Sequence, residues 1–256
     1  MAPISAPYIP YGEASVVIDI ARSALISIDV QNDFCPGILR SDGMRESPGA
    51  LAVADGDAVV PPLNALAARF AAGGGKVVAT QDWHPAGHVS FASAHAGAKV
   101  YDTVAVPVPE SRPLRQGLPP APAAVDQTLW PDHCVQGTFG AAFHPFFDLR
   151  PVTLVLRKGY RSGLDSYSAF FENDRTTATG LDGWLKGLGI GTVFLGGLAT
   201  DYCVLYSALD AARLGYETVL LTDAVRGVGA PPGSIERALD LMREAGVLFM
   251  DSGSLR

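Results

Sequence analysis

Short apolar runs alternate with amphipathic stretches through most of the chain. Ser23–Ile28, Lys76–Thr80, Val152–Leu156, Thr192–Leu195, Thr218–Leu221 and Val247–Met250 are brief, nearly unbroken apolar segments. Runs of that kind, without polar alternation, predict strands buried on both faces. Val59–Ala72, Ala178–Leu188, Tyr202–Leu214 and Ser234–Ala245 carry apolar residues at helical spacing. Pro61 and Pro62 fit only the first turn of the first helix, and Gly73-Gly74-Gly75 ends it. The alternation predicts an α/β fold: one domain, with a mostly parallel central sheet flanked by helices on both faces.

Three stretches stand outside that rhythm. Residues 1–20 are rich in Pro and Ala and read as an N-terminal extension, with Ala14–Asp19 offering a short edge strand. Residues 38–55 form a polar loop. Residues 96–128 are irregular, with a run of prolines and small residues from Pro107 to Pro122. A loop of that length inside a domain is usually functional or disordered. Strand and helix patterns resume unchanged beyond it, so 99–128 is read as an insertion in a single domain spanning 21–256.

Composition narrows the function classes. The 256 residues carry a net charge of −7, whereas a nucleic-acid binder needs a basic footprint. Three cysteines, Cys35, Cys134 and Cys203, are odd in number and far apart, a poor disulfide framework that suits a reducing compartment. No secretory signal and no apolar run of membrane-spanning length is visible, so a cytoplasmic protein without membrane contact is expected.

The most informative stretch is Phe194-Leu-Gly-Gly-Leu-Ala-Thr-Asp-Tyr-Cys203. An apolar strand runs through paired glycines into a helix, with Thr200 as the expected N-cap and Asp201 in the first turn. Cys203 then falls near the third helical position, where free N–H groups and the helix dipole favour a thiolate. Strand, glycine turn and nucleophile also make the elbow of several hydrolases. Position alone leaves a packed structural cysteine equally good. Asp29 and Lys158 end two other apolar strands, and adjacent parallel strands would bring both to the same sheet edge as Cys203. A carboxylate can take the thiol proton, and an ammonium moderates the repulsion between the anions. Cys35 and Cys134 read as structural.

Asp82 and His84 lie two residues apart at a strand end, so both side chains point the same way. His133 offers a third ligand, with His88, His95 and Cys134 as alternatives. Two histidines and a carboxylate would bind a divalent ion and leave positions open for water or substrate.

Read together, Asp29-Val-Gln-Asn-Asp-Phe-Cys-Pro-Gly, Thr80-Gln-Asp-Trp-His-Pro, Trp130-Pro-Asp-His-Cys-Val-Gln-Gly-Thr, Lys158-Gly and Gly197-Leu-Ala-Thr-Asp-Tyr-Cys-Val resemble the nicotinamidases. These belong to the isochorismatase-like cysteine hydrolases. The match keeps motif order from about residue 24 to 250. It implies an isochorismatase-like, Rossmann-like three-layer sandwich and hydrolysis of nicotinamide to nicotinate and ammonia through a thioester. By the same resemblance Cys203 is the nucleophile, Asp29 the general base and Lys158 their charge partner. Asp82, His84 and His133 would hold zinc, iron or manganese, which anchors the pyridine nitrogen. The family also has a cis peptide at the position of Leu198–Ala199, directing the N–H groups of Ala199 and Cys203 at a developing oxyanion. Phe34, Trp130, Tyr167 and Leu198 are the expected substrate-binding residues; Trp83 and Tyr160 read as ordinary core. The insertion exceeds what relatives need, which suggests a lid or an oligomer contact and leaves a homo-oligomer open.

The nearest rival is another amidase of the superfamily, acting on a ureido or carbamoyl group; such relatives generally lack the metal set. A vinyl-ether hydrolase would not keep the cysteine. A non-catalytic binding module would not need intact candidates at every position.

Overall fold

The apolar runs become the strands of one sheet. In chain order the elements are β1 (Ile4–Ser5), β2 (Val17–Ile18), β3 (Ser23–Ile28), α1 (Val60–Ala72), β4 (Lys76–Asp82), β5 (Thr103–Pro107), β6 (Ala124–Thr128), β7 (Leu154–Lys158), α2 (Leu181–Gly187), β8 (Thr192–Leu198), α3 (Leu205–Arg213), β9 (Glu217–Arg226), α4 (Ser234–Glu244) and β10 (Leu248–Met250). The computed structural model describes residues 4–5, 17–37, 48–108 and 122–255. Most of the 38–55 loop and the middle of the 99–128 insertion lie outside the described residues.

Six strands form the central sheet in the order β10-β9-β8-β3-β4-β7, every neighbouring pair parallel. From β3 the chain first builds toward β4 and β7, then returns to lay β8, β9 and β10 on the other side. The switch in direction lies between β3 and β8, where open α/β sheets place their crevice.

Alternate residues of each strand feed two separate cores. Leu25, Val77, Phe194 and Val219 pack with Leu63, Leu66 and Phe70 of α1 on one face. Ala24, Ile26, Val78 and Leu195 pack on the other face with Leu185 of α2, Ala208 of α3 and Met242 of α4. Burial on both sides is why β3 and β4 read as unbroken apolar runs. The outcome is the three-layer α/β sandwich.

Several element limits differ from the sequence reading, each for a local reason. The β2 segment does not edge the central sheet: it pairs with β1 in a separate two-stranded sheet. The insertion is not wholly irregular, because β5 and β6 pair antiparallel as a ribbon. Its short Ala-, Pro- and Asp-containing strands lack the apolar run that marks the buried sheet. Helix α2 starts late, since Ala178 bridges Phe171 and Gly180 is left-handed. Strand β9 runs on past Leu221 because the Asp223 carboxylate, which would otherwise end it, accepts hydrogen bonds from Ser252. Among the described residues, no helix is long and apolar enough to cross a membrane.

Gly197 pairs with Ile28 at the site-bearing end of the sheet, with φ 116°. A Cβ there would lie 2.1 Å from the Ile28 carbonyl oxygen. Both the backbone conformation and the contact exclude a side chain. Gly197→Ala is expected to cost about 3 kcal/mol or more and to lower Tm by roughly 6–12 °C. An unchanged thermal denaturation curve would contradict this close approach.

Candidate active site

Four adjacent strand ends build the site. Asp29 follows β3 in a left-handed conformation (φ 49°), which Asp tolerates better than most residues. Asp82 and Lys158 end β4 and β7 and are paired in register. Beyond β8 the peptide Leu198–Ala199 is cis, and the chain enters a π-helical turn, Thr200–Val204, before α3. Cys203 is the fourth residue of that turn, and the N–H groups of Tyr202 and Val204 on either side both bond the Ala199 carbonyl.

One detail of the elbow differs from the sequence reading and another adds to it. Thr200 caps nothing with its side chain, because Ala199 occupies the capping position. Asp201 does lie in the first turn, and its carboxylate has a second role the sequence did not show: it accepts from the Val228 and Gly229 amides and the Ser234 hydroxyl, tying the loop after β9 to the elbow.

Lys158 is fully buried and sits at the centre. Its Nζ lies 2.8 Å from Asp29 Oδ2 and 2.5 Å from Asp82 Oδ1, and donates to the Ser166 carbonyl at 3.0 Å and to Cys203 Sγ at 3.4 Å. Burial disfavours its charge, but the two carboxylates outweigh this and hold its pKa well above the usual lysine range. Burial pushes the Asp29 carboxyl up to about 6 against the pull of Lys158, with Asp82 adding to the rise. Burial also drives the Cys203 thiol well up; Lys158 opposes this and the two carboxylates reinforce it. Burial beside the two carboxylates thus works against the thiolate that a helix start favours, and Lys158 works for it.

Asp82 divides its two oxygens. Oδ1 faces Lys158, while Oδ2 lies 3.6 Å from His84 Nε2 and 3.9 Å from His133 Nε2. The other ring nitrogens are occupied: His84 Nδ1 donates to the Gly159 carbonyl and His133 Nδ1 to the Pro131 carbonyl, both at 2.8 Å. That fixes each tautomer with an Nε2 lone pair turned toward the shared point. Burial, then the neighbouring His84, pushes His133 down to about 4, keeping it a neutral donor. Burial opposes protonation of His84 as well, but Asp82 outweighs it and raises its pKa. Burial would raise Asp82, yet Lys158 and both imidazoles hold it well below the usual carboxylate range. The ligand atoms of the three lie within 4.8 Å of one another. Two imidazole nitrogens and a carboxylate oxygen, with one cation against two carboxylates nearby, fit a divalent ion. His88 instead stacks on His84 and bonds Ser90 Oγ, and His95 bonds the Val89 carbonyl.

Cys203, Ala199, Asp82, His84 and His133 open onto one narrow cavity. Phe34, Trp130 and Tyr167 form its aromatic wall, and Leu51, Asp165, Tyr202 and Val228 complete it. Phe34 meets His133 edge-on at 5.5 Å, and Trp130 meets Tyr202 at 4.6 Å. The Leu198 side chain is not brought to the cavity; it is fully buried in the core on the α1 face. Tyr160 is exposed rather than core, and Trp83 is half-buried beneath the Arg157 guanidinium. Cys35 and Cys134 are buried free thiols, Cys35 pushed up to about 12 by burial and then by Asp57.

The sequence reading passed over the residues that hold this set in place. Thr80 Oγ1 accepts from the Asp29 amide and donates to its carboxylate at 2.6 Å. The Gln31 amide clamps the Asp82 backbone, accepting from its N–H and donating to its carbonyl. Asp33 accepts from the Cys134 N–H at 2.7 Å and so fixes the residue after His133. Gln31 and Asp33 follow Asp29 in the same motif, and that adjacency was the available signal.

Comparison with known proteins agrees with this geometry. The model of the isochorismatase domain matches residues 23–253. A nicotinamidase of Acinetobacter baylyi is 42% identical over 232 residues, covering 91% of this chain and 94% of the relative. A nicotinamidase/pyrazinamidase structure of Acinetobacter baumanii superposes with a TM-score of 0.77 at 42% identity, over 92% of this chain and 99% of that one. The pyrazinamidase of Pyrococcus horikoshii in complex with zinc gives a TM-score of 0.65 at 33% identity, over 90% and 99% of the two chains. On the domain match and these identities, the chain belongs to the isochorismatase family.

Proposed function

We propose that the chain is a nicotinamidase, an amide hydrolase converting nicotinamide to nicotinate and ammonia through a cysteine thioester. One observation carries this reading: a thiol, a carboxylate and a buried ammonium meet the Asp82–His84–His133 set at one aromatic-walled cavity. The cavity is narrow and mostly apolar, as a planar heteroaromatic amide requires. The nicotinamidases among its relatives support the substrate.

Asp29 takes the Cys203 proton as Sγ forms its bond to the carboxamide carbon. Lys158 limits the repulsion between the anions that arise. The oxygen of the tetrahedral intermediate is met by the N–H groups of Ala199 and Cys203. The C–N bond then breaks, and the amine takes the proton from Asp29 to leave as ammonia. Asp29, ionised again, removes a proton from water as it attacks the thioester; Cys203 leaves and is reprotonated, and nicotinate is released. Asp82, His84 and His133 would hold one divalent ion, zinc, iron or manganese, which would supply Lewis-acid chemistry toward the ring nitrogen. The zinc complex of the Pyrococcus horikoshii relative supports a bound divalent ion. Phe34 and Trp130 flank the ring. A ureido- or carbamoyl-cleaving amidase would need the thiol and its base but not the His–Asp–His set.

Cys203→Ala is expected to abolish ammonia release from nicotinamide while leaving Tm within about 2 °C of the parent, since only one sulfur atom is removed. Residual turnover above the uncatalysed rate would exclude the thioester route. His133→Ala should lower bound metal, measured by elemental analysis of the purified protein, from about one equivalent to a small fraction, with kcat/KM falling roughly 100-fold or more. Metal content equal to the parent would remove this site.

A further inference from the structure

The β5–β6 ribbon reaches the active site through one side chain. Gln127 of β6 is buried and does not line the cavity itself. Its Nε2 lies 3.0 Å from Asp165 Oδ2, 3.1 Å from the Tyr167 hydroxyl oxygen and 2.8 Å from the Thr128 carbonyl. Its Oε1 accepts from Asn173 Nδ2 at 3.2 Å.

The polarity of this network is not arbitrary. The Tyr167 backbone N–H can only donate, and it does so to Asn173 Oδ1 at 2.9 Å. Asn173 must then present its NH₂ group to Gln127, and Gln127 must present its own NH₂ group to Asp165 and Tyr167. A carboxylate and a carbonyl as the other acceptors require the same orientation. On the far side, the Trp130 indole N–H, also donor only, reaches the Tyr167 hydroxyl oxygen at 3.1 Å. One Gln127 hydrogen goes to the Thr128 carbonyl and the other is shared between Asp165 and Tyr167, so the phenol oxygen receives the Trp130 N–H in full and part of a Gln127 N–H. Burial and the Asp165 charge hold the phenol pKa well above its usual value, so it keeps its hydrogen. Among the described residues no side chain or carbonyl accepts that hydrogen, and Tyr167 lines the cavity beside Cys203 and Asp165.

We propose that Gln127 is a positioning residue that locks the Tyr167 hydroxyl as a hydrogen-bond donor to the bound substrate, making the ribbon a working part of the site. This rests on the amidase reading above. The ligand it selects is a flat ring whose carboxamide oxygen can accept that hydrogen bond against the aromatic wall. A ring without an acceptor there leaves the fixed donor unpaired, which is costly in a buried site.

The test is steady-state ammonia release from nicotinamide by the parent protein, Gln127→Met, Gln127→Glu, Tyr167→Phe and the Gln127→Met/Tyr167→Phe double variant. Gln127→Met and Tyr167→Phe should each raise KM about tenfold, with kcat within about threefold of the parent. The double variant should be no worse than Tyr167→Phe alone, because both remove the same donor. Gln127→Glu keeps size and the acceptor for Asn173 but turns an acceptor toward Tyr167. Beside Asp165 the introduced carboxyl keeps a proton aimed at the Asp165 carboxylate, so Tyr167 loses the Gln127 donor and KM should rise about tenfold, as in Gln127→Met. It also serves as the second probe should Gln127→Met not fold. A parent protein that releases no ammonia overturns the amidase reading and this inference with it. Parent turnover with KM unmoved in the Gln127 variants, or effects that multiply in the double variant, overturns this inference alone.

Discussion

The site depends on one buried ammonium. Lys158 has no solvent to share its charge, and taking such an ion out of water costs several kcal/mol. It is stable there because Asp29 and Asp82 approach it from two neighbouring strands at 2.8 and 2.5 Å and the Ser166 carbonyl takes a further proton. The dependence runs both ways. Without Lys158, two buried carboxylates and a thiol would face one another with no positive charge between them. The strand order β8-β3-β4-β7 is what sets the four groups side by side.

Asp82 joins the two halves of the site. One oxygen belongs to the Lys158 cluster and the other to the pair of imidazoles. Its backbone is clamped by Gln31, two residues beyond Asp29, so the strand carrying the candidate base also places the candidate metal ligand. Gly159 tightens the same corner. Its carbonyl holds His84, and a Cβ at its left-handed position would lie 2.5 Å from the imidazole Cε1. The thiol cluster and the pair of histidines thus share one rigid frame, the kind of preorganisation a hydrolase needs.

Around that frame, polar side chains act mainly on other protein groups. Thr80 orients Asp29, Asp33 holds Cys134, and Asp201 ties the loop at Val228 to the elbow. The network from Asn173 through Gln127 to Tyr167 does the same for the aromatic wall. Buried polar groups are tolerated when their donors and acceptors are paired, and pairing also removes alternative orientations.

How much of this the sequence determined follows from the range of each interaction. Strands buried on both faces must be apolar throughout, so Ser23–Ile28 was legible with its limits intact and the α/β class followed from alternation. Polar residues at strand ends marked Asp29, Asp82, His84, Lys158 and Cys203, because parallel strands bring such ends to one edge. Local sequence was silent wherever a group's partner lies far along the chain. The Gln31–Asp82 clamp spans 51 residues and the Gln127–Tyr167 bond 40. The surroundings of Cys203 follow the same rule: helix position is local, but burial beside two carboxylates from other strands, which pushes the thiol pKa up, is not. Leu198 looked like a pocket residue by adjacency, yet its side chain turns into the core. Periodicity and propensity therefore settled which segments fold and which strand ends bring polar residues together. Only the packed sheet decided charge states, tautomers and the direction of each hydrogen bond, because those depend on dielectric and distance between residues remote in sequence.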